Sequence, residues 1–280
     1  MWNRVTIVGC GLIGSSFALA LRRNGAGATI AGWDLSNAVL EEALRCGIID
    51  EVDRSFSNGE RSSSDLVYLA MPVTEIIKFV KESGNRLKPG TVITDAGSTK
   101  KEICRAAQTH LPNEVCFIGG HPIAGSHQSG PANAHADLFN GAPYVLIREN
   151  ADSDCKEVRA LSNMLESAGA RVTFMTAVEH DRHFALLSHL PQLLSSALAS
   201  TVKDASAAIS LAGSGYRDMT RLAASDWSMW HDILVTNTLP IADAVNQVIE
   251  RLSLVRNELL EHSERQTVSL PVSQGLFEKN

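Results

Sequence analysis

The chain has 280 residues, 44% of them hydrophobic and 20% charged, with a formal net charge of −6 and a pI near 5.8. This is a globular composition with enough apolar material for a sizeable core. Its acidity argues against nucleic acid or an anionic membrane surface as the main partner.

No stretch reaches the roughly 18 apolar residues of a membrane span. A strand is expected from Val5, and on that reading no signal peptide is expected before it. The five cysteines (Cys10, Cys46, Cys104, Cys116 and Cys155) show no CxxC spacing. Cys10 and Cys116 read as buried thiols, and a reducing cytoplasm is the expected compartment.

An apolar, β-branched run predicts a strand over 4–8, and Gly9-Cys10-Gly11-Leu12-Ile13-Gly14 follows at once, opening an alanine-rich helix to about residue 24. A second strand over 28–33 ends in Asp34, 20 positions past Gly14. Glycine turns are common, but this strand–loop–helix–strand–acid unit is a dinucleotide fingerprint. Gly9 permits the tight turn, Gly11 lets backbone approach a pyrophosphate, and Gly14 allows close helix–strand packing. The pyrophosphate is expected on the helix N-terminus at Leu12 and Ile13, where free N–H groups and the dipole favour an anion. Asp34 is placed to accept hydrogen bonds from the adenosine ribose diol. A 2′-phosphate would meet that carboxylate, and Leu35-Ser36-Asn37 offers no arginine, so NAD is favoured over NADP. Cys10 reads as packing.

Further αβ units follow. A strand over 65–70 is closed by Met71-Pro72, expected to face the cofactor, and an amphipathic helix spans 73–87. A strand over 91–94 runs into Asp95-Ala96-Gly97-Ser98-Thr99-Lys100. Ser98 or Thr99 is expected to cap the next helix, with Glu102 in its first turn; a Ser98 hydroxyl facing a ligand is compatible with that. A strand over 115–118 leads into Gly119-Gly120-His121-Pro122-Ile123-Ala124-Gly125-Ser126. Pro122 keeps His121 in extended backbone, and an imidazole on a stiff open loop suits proton transfer. The octapeptide alone is equally compatible with a loop histidine that carries no chemistry. The last strands are expected at 143–148 and 171–175, flanking a helix over 153–168.

This alternation predicts a Rossmann-type α/β fold, a doubly wound and mostly parallel sheet. Ligands bind such sheets outside the carboxyl ends of the strands, where Asp34, Met71, Ser98 and His121 fall. After about residue 175 strand signals stop and helical periodicity runs to about 262. The chain therefore divides into a dinucleotide-binding domain, 1–175, and an all-helical substrate and dimerisation domain, 176–280. Pro191 is expected to kink the first of these helices, leaving His189 as a core residue or one aimed into a cleft. Ile241, Val245, Val248, Leu252, Val255 and Leu259 form a narrow apolar seam, favoured as a homodimer contact. The tail from Ser263 reads as polar and loosely ordered.

Two clusters remain. Arg217 and Arg221, next to glycines, read as a carboxylate clamp or as surface ion pairs. In Glu179-His180-Asp181-Arg182-His183 the HxxH spacing lacks the remaining ligands of a zinc site. No metal is expected there, and a helix N-cap is the better reading.

Taken together, GCGLIG, DAGSTK, GGHPIAG, SHLP and DMTRLAASD followed by Met229-Trp230 resemble the prephenate/arogenate dehydrogenase family of tyrosine biosynthesis, from Arg4 to about His262. The resemblance implies NAD-dependent oxidative decarboxylation of prephenate or arogenate. It implies His121 as acceptor of the ring hydroxyl proton and Ser98 as its hydrogen-bonding neighbour. It further implies Arg221 on a substrate carboxylate, with His189, Ser126 and Trp230 lining the substrate pocket. Two departures stand out. Ser126-His127-Gln128 lacks the acid many relatives place there, which tilts the reading toward prephenate over the ammonium-bearing arogenate. Trp227 replaces a usual proline. Rival readings are a β-hydroxyacid-type dehydrogenase, which would use a lysine where His189-Leu190-Pro191 stands, and a dinucleotide-sensing regulator without turnover.

Overall fold

The structure, a computed structural model, describes residues 2–24, 27–125, 128–149, 155–203, 209–265 and 270–277. Six short strands form one all-parallel sheet: β1 (Arg4–Val8), β2 (Thr29–Trp33), β3 (Glu51–Val52), β4 (Leu66–Leu69), β5 (Val92–Asp95) and β6 (Cys116–Ile118), in the order β3-β2-β1-β4-β5-β6. Helices α1 (Leu12–Arg23), α2 (Asn37–Arg45), α3 (Ser55–Asn58), α4 (Val73–Ser83) and α5 (Lys101–His110) connect them. Both sheet faces are covered, so the strands are apolar throughout rather than alternating. Successive residues split between two cores: Leu66 and Tyr68 point to the side of Phe17 and Leu21, while Val67 and Leu69 point to Ile76 and Phe79 of α4. Stacking of Phe17 on Tyr68, with ring centroids 3.7 Å apart, locks α1 against β4.

The strands expected last do not extend this sheet. Beyond Gly119 the chain turns into β7 (Gly120–Pro122), which pairs antiparallel with β8 (Pro143–Ile147), and β8 pairs in parallel with β9 (Arg171–Met175) to make a separate three-stranded sheet. Glycine decides this turn, because a Cβ on Gly120 would stand 2.5 Å from the Asp95 carbonyl oxygen. α6 (Lys156–Ser167) packs on β9. Cys10 is fully buried, but Cys116 is only half-buried, and all five cysteines are unpaired.

The remainder is helical: α7 (Ala177–Phe184), α8 (Leu190–Val202), α9 (Ser214–Thr220), α10 (Trp227–Thr236), α11 (Thr238–Arg265) and α12 (Pro271–Phe277). The compact units are Met1–Asp181 with Trp227–Thr236, and Arg182–Asp226 with Asn237–Asn280. The first unit thus includes a helix from late in the chain, α10, which packs on α4. In the second unit the disturbance expected at Pro191 is a π-turn, Ala185–His189, directly before the proline, and the backbone stays helical through His189 and Leu190 into α8, so the wider turn accommodates the N–H that the proline lacks. Within the tail, the described residues 270–277 depart from expectation. Glu258 accepts hydrogen bonds from Val272 N (2.6 Å) and Ser273 N (2.8 Å), giving α12 the N-terminal cap that its own sequence lacks. No helix among the described residues is long and apolar enough to cross a membrane.

Candidate active site

The glycine loop bridges β1 and α1. Gly9 has φ +93°, and a Cβ there would stand 2.4 Å from the Ala70 carbonyl oxygen. A Cβ on Gly14 would stand 2.1 Å from the Gly9 carbonyl oxygen, so α1 touches the loop directly. Gly11 is different: nothing lies within 4 Å of its added Cβ, and as N-cap of α1 it lends no side chain to the helix. The first N–H groups of α1, at Leu12 and Ile13, have no carbonyl a turn earlier to bond. The Asp34 carboxylate accepts from Cys10 N and Ser36 N, both at 2.9 Å, and is thereby tied to the loop. A cavity of about 450 Å³ opens over Gly9, Gly11, Asp34, Met71 and Pro72. These features fit a dinucleotide: unobstructed backbone at Gly11, a helix N-terminus for the pyrophosphate, and a fixed carboxylate for the ribose. Burial, with the Asp34 charge, pushes the Cys10 thiol up to about 12, in keeping with a packing role.

A second cavity, about 490 Å³, shares Ala70, Met71, Pro72 and Glu75 with the first and continues past Gly97 and Ser98 to Met229 and Asp232 of α10. Ser98 lines it but does not cap α5. That helix starts at Lys101, too far along for either hydroxyl, and Thr99 instead meets Thr236 at 2.8 Å. The cap is Asp181 of α7, whose carboxylate accepts from Lys100 N (2.7 Å) and Lys101 N (2.9 Å). Asp232 does the same for α4, accepting from Thr74 N (3.0 Å) and Thr74 Oγ1 (2.6 Å).

His121 lies in the middle of β7, opposite Val145. Its strand is fastened to the end of β5: Gly120 N donates to Asp95 Oδ1 (3.0 Å), and Gly120 O accepts from Lys100 Nζ (2.6 Å). Lys100 and Asp95 form a fully buried ion pair. The His121 ring reaches His180, Nδ1 to Nε2 at 2.8 Å, and His180 Nδ1 reaches Asp181 Oδ1 at 2.8 Å. Burial lowers the pKa of His180 despite the opposing hydrogen bond to Asp181. The sequence does not reveal these links. A helix cap is expected at the 179–183 cluster, and Glu179 does serve α7 that way, accepting from Thr176 N at 2.9 Å. The neighbouring His180 and Asp181 face inward, one turn position away, and only their pairing with distant partners reveals them.

Of the remaining candidates, Trp230 is half-buried on α10 of the first unit, while His189 and Arg221 belong to the second. His189 is buried and accepts a 3.2 Å hydrogen bond from Asn237 Nδ2 on its Nδ1, which leaves the proton of the neutral ring on Nε2. Arg221 opens an exposed 3₁₀ turn, Arg221–Ala224, held to α8 by Gln192 Nε2 on the Leu222 carbonyl at 2.8 Å. Ser126 lies outside the described residues.

A family model described as "Prephenate dehydrogenase, nucleotide-binding domain" matches residues 17–174, and one described as "Prephenate dehydrogenase, dimerization domain" matches residues 176–269. The chain belongs to the prephenate dehydrogenase family. A prephenate dehydrogenase of Bacillus subtilis is 34% identical over 261 residues, covering 91% of this chain and 70% of the relative. The structure of Aquifex aeolicus prephenate dehydrogenase in complex with hydroxyphenyl propionate and NAD+ superimposes with a TM-score of 0.83 at 31% identity, over 94% of this chain and 93% of that one. Synechocystis arogenate dehydrogenase gives a TM-score of 0.79 at 27% identity, over 93% of each chain. Prephenate dehydrogenase family membership therefore spans both halves of the sequence.

Proposed function

We propose that the protein catalyses NAD-dependent oxidative decarboxylation of prephenate to 4-hydroxyphenylpyruvate, of arogenate to tyrosine, or of both. The observation that carries this reading is that the glycine loop with Asp34 and, through Gly120 and Asp95, the strand of His121 are attached to the same carboxyl edge of one parallel sheet. Bound NAD+ supplies the hydride acceptor. His121 accepts the proton of the ring hydroxyl as the hydride on the same carbon departs with its electron pair. The bond to the ring carboxylate then breaks to release CO2, and its electrons pass through the ring to the oxygen, which regains a proton as the phenol. The gain in aromaticity drives the second step, so the chain must supply position, a neutral base and anion recognition.

Ser98, lining the second cavity, hydrogen-bonds His121 or the substrate hydroxyl. Arg221 pairs its guanidinium with a substrate carboxylate, His189 presents Nε2–H to a substrate oxygen, and Ser126 and Trp230 line the pocket. Residues 1–175 act as the dinucleotide-binding domain and 176–280 as the substrate and dimerisation domain of a homodimer. Five unpaired cysteines support a reducing cytoplasm as its compartment. The lack of an acid at 126–128 favours prephenate over arogenate. Incubation with NAD+ and each substrate, followed by NADH absorbance, tests the reading. A higher kcat/KM for prephenate is expected. Absence of NADH with both substrates would overturn the assignment in favour of another dehydrogenase or a silent sensor.

A further inference from the structure

We propose that His180 and Asp181 are positioning residues that hold His121 in its Nδ1–H tautomer, making Nε2 the nitrogen that takes the substrate proton. The inference rests on the reading of His121 as the base.

Asp181 sets the direction of the hydrogen bonds. It accepts two backbone N–H groups at the start of α5, the surroundings of an ionised carboxylate. An ionised carboxylate only accepts, so His180 Nδ1, 2.8 Å from Asp181 Oδ1, is the donor. His180 is fully buried, and burial favours its neutral form. A neutral ring protonated on Nδ1 has a lone pair on Nε2, and that atom lies 2.8 Å from His121 Nδ1. His121 Nδ1 must therefore donate, which leaves the basic lone pair on its Nε2. Free histidine prefers the opposite tautomer, so the preference has to come from the protein.

The same links serve the reaction. When His121 Nε2 is protonated, Nδ1–H keeps its acceptor and no ring has to turn. The charged groups around the pair are Asp181 on α7, Asp95 at the end of β5 and Lys100 at the start of α5. Lys100 is neutralised by Asp95 in its buried ion pair, so the Asp181 carboxylate, two links away, is left to favour the imidazolium.

The test joins spectroscopy to kinetics. In the 15N-labelled full-length protein, long-range 1H–15N correlations of the imidazoles should show His121 as Nδ1–H, its signals identified by their loss in His121→Asn. In His180→Leu that ring should move toward Nε2–H. The kcat of this variant should fall about 10²-fold, and the acid limb of its pH profile should shift to lower pH because protonated His121 has lost its acceptor. In His180→Gln the amide oxygen can accept from Nδ1–H while the amide NH2 donates to Asp181, so most of the kcat should return. A merely structural role would lower Tm and leave the tautomer and the pH limb in place. An Nε2–H ring at His121 in the wild type overturns the inference even if both His180 variants misfold. Full kcat in His121→Asn would sink the assignment of the base as well. Loss of kcat in His121→Asn beside an unchanged His180→Leu would sink only the inference.

Discussion

Gly11 and Gly14 occupy one turn and should fail differently when given a methyl group. At Gly14 the methyl collides with the loop's own carbonyl oxygen; at Gly11 it meets open space on the cavity side. Gly11→Ala should therefore keep the wild-type Tm while raising the Kd for NAD+ about tenfold or more, roughly 1.4 kcal/mol, as measured by calorimetry. A fall in Tm with unchanged Kd would make Gly11 a packing residue. His121 invites the complementary experiment. Asparagine there keeps a polar side chain but removes the base, so kcat should drop roughly 10²- to 10⁴-fold with NAD+ affinity retained. The glycine loop and His121 were legible because each depends on its immediate neighbours: a turn that only glycine allows, and a proline that holds the preceding residue extended. His180 and Asp181 were not, because a histidine beside an aspartate has no chemistry until a partner 59 residues away meets it.

The elements near the site are capped from a distance. α4 begins after Pro72, which has no side-chain acceptor, and α5 begins after Lys100, which has none either. Asp232 and Asp181 supply the missing oxygens. Replacing Asp232 with alanine should cost roughly 0.5–2 kcal/mol, read as a lower Tm. Burial pushes the Asp232 carboxyl up, but hydrogen bonds from the Thr74 side chain and backbone, with His231 beside it, hold it below its ordinary value. A folded pKa below the unfolded one, about 3.9, means a contribution fully present above that value. It is lost as pH falls through the lower folded value. The Tm difference between wild type and Asp232→Ala should thus be constant near neutrality and shrink in acid below about pH 4. A difference independent of pH down to pH 2 would show that the carboxylate charge is not what stabilises the helix. Local patterns such as Ser98 or Thr99 with Glu102 suggested a self-capped α5; the carboxylate that won comes from an element added later in the chain.

At the scale of the whole molecule, α11 stands out. Ile241 at its start is buried, yet Leu252 is 58% exposed and Leu259 49% exposed. Long apolar side chains spaced along one helix and left in water call for a partner surface, and the family's dimerization domain covers this segment. Leu252→Glu should convert a dimer to a monomer in sedimentation velocity while leaving helicity by circular dichroism unchanged. A wild-type monomer, or a variant that stays dimeric, would remove α11 from the interface.

By itself the sequence determined the Rossmann-type parallel sheet, the glycine turn, Asp34 at the end of its strand, and the change to helices after residue 175. These depend on hydrophobic period, on the special backbone freedom of glycine and proline, and on residue spacing, all of which act over a few neighbours. Only the tertiary structure decided that β7, β8 and β9 form a sheet of their own, that α10 packs with the first compact unit, and that carboxylates from far along the chain cap α4 and α5. Burial strips water from a carboxylate, an imidazole or a free N–H, and each must then find whichever partner the fold brings within 3 Å. No local rule names that partner.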